Sequence, residues 1–175
     1  MQKSRTRIGV VAAVVVVVGL AVGLWWFTPW KLIVDETVNE AVPTVTATDG
    51  AVPAEPVVLA SGDLVSHEHE TSGRVLLLEL PDGQRILRIQ DLNTSNGPLL
   101  KVFLTEAAVL PGSDGWHVFD DGRYLDLGPL AGNLGSSNYA IPPGADLMGL
   151  HSVSIWCDRF DVSFGAAELA PSGAM

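Results

Sequence analysis

The chain has one cysteine, and any chemistry that needs a thiol must use it. Cys157 lies between Trp156 and Asp158 in the stretch SVSIWCDRFDVSFGAAEL, residues 152–169. A thiol with an ordinary pKa near ~8.5 is mostly protonated at neutral pH. An apolar pocket and the adjacent Asp158 would raise that value, whereas Arg159 would act the other way. The same residue also serves as a small buried hydrophobe in a strand, with no chemistry at all. Both readings stay open from the residues alone. Trp156, Asp158 and His151 are the supporting candidates by their nearness to the cysteine.

The other candidate donors are four histidines. His67 and His69, in His-Glu-His, have the i, i+2 spacing that turns two side chains to one side of a strand, where they could share a metal. A blue-copper centre needs one cysteine, two histidines and a weak axial ligand, and Met148, His151 and Cys157 supply those types. No histidine follows Cys157, which counts against copper. Covalent haem would need Cys-x-x-Cys-His, which a single cysteine cannot form. Non-covalent haem through His, Met or Cys157 remains open. The glycine-rich Gly128–Asn138 matches no phosphate-binding or dinucleotide pattern. Nor does the chain carry a Gly-x-Ser-x-Gly, His-Glu-x-x-His or Ser-x-x-Lys motif, so hydrolase chemistry is poorly supported.

These residues need strands to hold them. Val153, Ile155 and Cys157 alternate with polar or outward positions, and Phe160, Val162 and Phe164 do so again on the even positions. The period of two predicts strands, and the change of parity requires a bulge or tight turn at Asp158-Arg159. Arg74–Leu80 and Gln84–Gln90 flank Pro81-Asp82-Gly83, the composition of a hairpin turn. Gly62-Asp63 opens a short strand through Ser66, and Leu99–Thr105 and Tyr124–Leu127 read as further strands. Ala107–Arg123 reads as a long loop, Gly128–Asn138 as a glycine-rich loop and Tyr139–Pro142 as a short extended piece. Many short strands with turn signals and no convincing helix predict an all-β domain, an antiparallel β-sandwich or barrel-like fold, over 61–170. A tail, 171–175, follows.

With those residues placed, Gly62–Leu169 resembles the DM-thirteen family, an electron-transfer domain found beside DOMON domains in the animal Skeletor proteins and alone in many bacterial membrane-anchored proteins. The resemblance rests on ordered motifs: Ser72-Gly73, Asp91-Leu92, Thr94-Ser95-Asn96-Gly97-Pro98 before Val102-Phe103-Leu104, Gly132-Asn133 and Gly135, Asn138-Tyr139, and Ile155-Trp156-Cys157 before Phe164-Gly165. It implies a β-sandwich and a redox role carried by the family's cysteine, which falls on Cys157. The alternative is a tethered binding module in which Cys157 only fills the core.

The beginning of the chain sets the expected compartment. Residues 1–7 carry Lys3, Arg5 and Arg7 and no acid, and residues 8–27 are uncharged and apolar. Twenty residues at ~1.5 Å rise reach ~30 Å, enough to cross a bilayer core. The run ends in Trp25, Trp26, Phe27 and Trp30, aromatics suited to the membrane interface. A single-pass anchor in the cell membrane is therefore expected, with the basic tail cytoplasmic and the domain extracytoplasmic, and a cleaved signal peptide is the alternative. Residues 28–60 read as a juxtamembrane stalk, with one short amphipathic helix around DETVNEAV and an extended Pro/Thr/Ala linker over Pro43–Pro56. Such a stalk could lift the domain several tens of ångströms from the bilayer. From residue 28 onward seven basic residues face twenty acidic ones, a formal charge of −13. That charge repels nucleic acid, so the expected partners are the membrane and an extracytoplasmic redox or cell-envelope protein.

Overall fold

The computed structural model describes residues 2–29, 34–44 and 55–173. Helix α1 spans Gln2–Phe27, and within it Gly9–Phe27 is long and apolar enough to cross a membrane or to serve as a signal sequence. Among the described residues eleven strands follow: β1 Thr37–Asn39, β2 Val57–Asp63, β3 Val65–Ser66, β4 Ser72–Glu79, β5 Arg85–Asn93, β6 Leu100–Thr105, β7 Tyr124–Pro129, β8 Leu134–Ala140, β9 Ser152–Cys157, β10 Val162–Glu168 and β11 Ala170–Pro171. They form two open sheets, β1-β8-β5-β4-β2-β11 and β3-β10-β9-β6-β7. All pairs are antiparallel except β1–β8. This is the expected β-sandwich.

The central hairpin forms where the turn residues predict it. Gly83 takes φ +81°, which costs a residue without a Cβ little, and the Asp82 carboxylate accepts the Gln84 N–H. Between the sheets, Val75, Leu87, Ile89 and Leu92 meet Val102, Leu104, Val153, Ile155 and Phe164. Sheet two is buried on its outer side as well. The segment between β6 and β7 folds over it, and Phe103, Trp156, Ala166 and Phe119 pack there with Ala107, Val109 and Val118. Every residue of β9 is therefore buried. The loop expected over Ala107–Arg123 is thus the cover of a second core, with a 3-10 turn at Gly112–Gly115.

Four expectations change. The parity break before β10 takes one of its two expected forms, a tight turn over Asp158–Asp161, in which Asp161 has φ +57° and both Phe160 and Asp161 N–H groups reach the Cys157 carbonyl. Phe160 is consequently exposed in the turn rather than inward-facing. The glycine-rich stretch holds the end of β7 and most of β8, whose small residues admit another backbone alongside. A Cβ on Gly135 would sit 2.1 Å from the Val38 carbonyl oxygen and one on Gly132 2.4 Å from that of Glu36. The segment expected to be a helix around DETVNEAV is instead β1, whose partner edge satisfies its backbone better than a short isolated helix would. Finally, the sheet begins at Val57 and Val34–Ala41 is tied along its edge, so neither belongs to a free stalk. The rest of the expected linker, residues 45–54, and Trp30 lie outside the described residues, as do the last two residues of the tail.

Candidate functional site

Cys157 ends β9, with Leu100 and Val162 as its strand partners. Its side chain points between the sheets and has no solvent exposure. Sγ donates a hydrogen bond to the Pro98 carbonyl at 3.3 Å. Burial pushes the thiol pKa up, only partly offset by the backbone N–H groups of Phe160 and Arg159. The group is a protonated, hydrogen-bonded thiol at neutral pH, not a poised nucleophile.

Outside it lies a groove of about 450 Å³ bordered by His69, Pro98, Trp116, His117, Phe160 and Phe164, with Val162 and one carboxylate, Glu68, in its lining. Pro98 and Val162 are the thiol's hydrogen-bond acceptor and strand partner, so they form the layer between Cys157 and this groove. Most of the groove's surface is apolar and aromatic. His69 leans over Phe164 with ring centroids 3.9 Å apart and pairs with Glu68 at 2.6 Å. His117 Nδ1 contacts the Asp161 carbonyl. The lining suits an apolar or planar ligand better than a charged one.

The named candidates do not gather around the cysteine. Trp156 faces the opposite side of β9 and joins the outer core with Phe103 and Phe119. Asp158 stands at the turn and pairs with Lys101 Nζ at 3.3 Å. His151 precedes the other end of β9, roughly 20 Å away by the rise of a strand, where its Nδ1 is 3.0 Å from a Glu168 carboxylate oxygen. Met148 is also at that end and is exposed. The donor types for copper are therefore dispersed, and among the described residues no group of three or more His, Cys, Asp or Glu side chains is placed to hold a metal.

His67 and His69 also separate. Residues 67–69 form a bend rather than a strand, so the period of two does not apply. His67 turns inward, its Nδ1 2.8 Å from Ser163 Oγ and its Nε2 3.1 Å from the Leu110 carbonyl. Both ring nitrogens are occupied, which removes it as a ligand.

A family model described as Electron transfer DM13 matches residues 63–169, more than half of the chain. The chain belongs to the DM13 electron-transfer family. No curated protein and no solved structure matches it. Within the DM13 domain several motif residues prove to be architectural. Asn133 is buried and its side chain accepts from the Glu36 N–H at 2.7 Å while donating to the Thr94 carbonyl and to Asp35 Oδ1, both at 2.9 Å. Thr94 and Thr71 hydroxyls meet at 2.7 Å, and Thr71 also donates to the Phe164 carbonyl. Gly165 is glycine because a Cβ there would lie 2.6 Å from the Thr71 side chain. Gly97 passes within 2.9 Å, on the same measure, of the Phe164 ring. These contacts fix the loop that carries Pro98, and hence the lid over the thiol. Sequence reasoning marked Asn133 and Thr94 by resemblance but had no signal for what they hold.

Proposed function

We propose that this protein is a membrane-anchored, extracytoplasmic electron-transfer module, with α1 as its single-pass anchor and Cys157 as the candidate redox centre of its DM13 domain. The observation that carries this reading is membership of the family together with the placement of the chain's one thiol directly beneath an aromatic groove. Lys3, Arg5 and Arg7 ahead of the apolar run support an N-terminus held in the cytoplasm. Protease added outside intact cells or protoplasts should digest the domain's connection to α1. A domain protected until lysis would reverse the orientation.

The burial of Cys157 favours one competing reading, in which the module binds a cell-envelope partner and the cysteine is core. The two readings separate on Cys157→Ser and Cys157→Ala. As a core residue the cysteine should cost about 1 kcal/mol on replacement by Ala, and somewhat more by Ser, whose hydroxyl loses better solvation. As the redox centre it should, when replaced by Ser, abolish a measurable midpoint potential or bound-cofactor absorbance while the melting temperature moves only modestly. The comparison is wild type against Cys157→Ser by voltammetry, visible absorbance and metal content. In either case the native thiol should react slowly with thiol reagents at neutral pH and fully once unfolded. A wild-type domain that is colourless, metal-free and without a midpoint potential decides for the binding module.

A further inference from the structure

The segment that follows α1 is not a free tether. Asn96 Nδ2 donates to the Val34 carbonyl at 2.8 Å, and Glu36 and Asp35 engage Asn133. Thr37–Asn39 then pairs in parallel with β8. The Glu40 carboxylate accepts the Asn138 backbone N–H at 2.7 Å, and its carbonyl accepts from the buried Arg88. All of these partners except those on the strap itself lie within the family-matched residues, whereas the strap lies before them.

The strap enters at one end of the sandwich. Val34 meets Asn96, in the loop that also carries Pro98 and Leu99, and β8 begins at that end beside β1. The Asp158–Asp161 turn is at the same end, since the Asp158 N–H bonds the Leu99 carbonyl. Only residues 28–33 separate Phe27 from Val34, a span of at most roughly 25 Å even when fully extended. A second contact agrees: the Arg159 guanidinium lies 4.7 Å from the centre of the Trp26 ring and donates to the Trp26 carbonyl. At this end Phe160 is 52% and Leu99 51% exposed, and Leu99 is held at φ +55°, a conformation bulky residues seldom take.

We propose that the strap Val34–Ala41 clamps the domain end-on against the bilayer spanned by α1, so that Leu99 and Phe160 rest in the lipid interface and the aromatic groove opens toward the membrane. This rests on α1 being an anchor. It makes the bilayer surface the occupant of this apolar end and brings lipid-dissolved compounds within reach of the groove. Asp158, Asp161 and Glu68 border the same end, so attraction to anionic headgroups is not what holds it. The strap and the anchor's aromatic end do, and the contact should persist at high salt.

The test uses the full chain in phosphatidylcholine vesicles, in a Cys157→Ala background. A nitrobenzoxadiazole label is placed at Phe160→Cys or, at the opposite end of the sandwich, at Asp82→Cys. Flotation with vesicles after an alkaline wash reports the anchor separately. Lipid spin-labelled near the headgroup should quench the label at 160 several-fold more than at 82. Replacing Asp35–Ala41 residue for residue by Gly and Ser should erase that difference. Gly132→Val, which drives a side chain into the Glu36 carbonyl from the domain side, should do the same. Flotation with equal quenching at both positions overturns the orientation alone, and failure to float overturns the anchor with it. A label at 160 shielded from lipid and from aqueous iodide alike would mean that protein covers this end, which also overturns the proposal. So would a difference that survives both strap variants.

Discussion

His67→Ala should destabilise the domain by about 2–4 kcal/mol, because it leaves one or two buried groups without partners at ~1–3 kcal/mol each. The Leu110 carbonyl can only accept, so His67 Nε2 carries the proton and donates to it. Nδ1 is then bare and accepts from Ser163 Oγ, which in turn accepts from Ser154 Oγ at 2.9 Å. The ring also stacks on Phe119, 5.6 Å between centroids. One side chain therefore ties the covering loop to β9 and β10. Burial lowers the His67 pKa from its ordinary value of 6.5, against a smaller opposing effect of the Leu110 carbonyl. The unfolded chain binds this proton more readily than the folded one. The stability it contributes is therefore present above about pH 6.5 and is lost as pH falls below it, through the lowered folded pKa. Urea midpoints taken from pH 7.5 down to 5.5 should fall for the wild type and fall less for His67→Gln, which keeps a donor and an acceptor but does not titrate. A wild-type midpoint with the same pH slope as His67→Gln would remove His67 from this role.

The parts of the fold that could be read in advance are those in which a local rule acts alone. Alternation in Val153–Cys157 and the turn chemistry of Pro81-Asp82-Gly83 need no knowledge of the rest of the chain, and both form as read. The failures are places where a distant segment decides. Gly132 and Gly135 look like loop residues until the strap's backbone is laid against them. The strap reads as a short amphipathic helix around DETVNEAV, yet β8 offers Thr37–Asn39 an open edge. His67 looks like half of a metal pair because its inward turn depends on Ser163, which is 96 residues away.

The site was legible only as a residue type. The single cysteine was evident, and so was its strand-end position. Its burial beneath Pro98 was not, because that lid depends on Thr71, Thr94 and Asn133 holding a loop in place. The period of two in Ser152–Cys157 does place Trp156 and Cys157 on opposite faces of one strand, and they lie there. The same alternation separates the roles of the two residues. Cys157 belongs to the layer between the sheets and to the groove end, Trp156 to the outer core.

Trp156→Ala should accordingly be among the most destabilising single changes in the domain, about 3–5 kcal/mol, as for other fully buried large aromatics. Trp156 is 1% exposed and stacks on Phe103, which itself stacks on Tyr124. A loss of that size is a large fraction of the ~5–15 kcal/mol that typically holds a domain together. Much of it should come from the cover over the sheet, since Phe119, Val109 and Val118 lose the surface they pack on. Limited proteolysis should therefore cut between Val109 and Gly122 in Trp156→Ala under conditions that leave the wild type intact, whereas Trp156→Phe should restore most of the protection. Urea unfolding followed by circular dichroism supplies the free energy, read at an unchanged slope. Because the indole faces away from the thiol, the folded fraction of Trp156→Ala should keep whatever midpoint potential the wild type has. A potential that disappears while the domain is still folded would place Trp156 in the electron path and make the outer core part of the site.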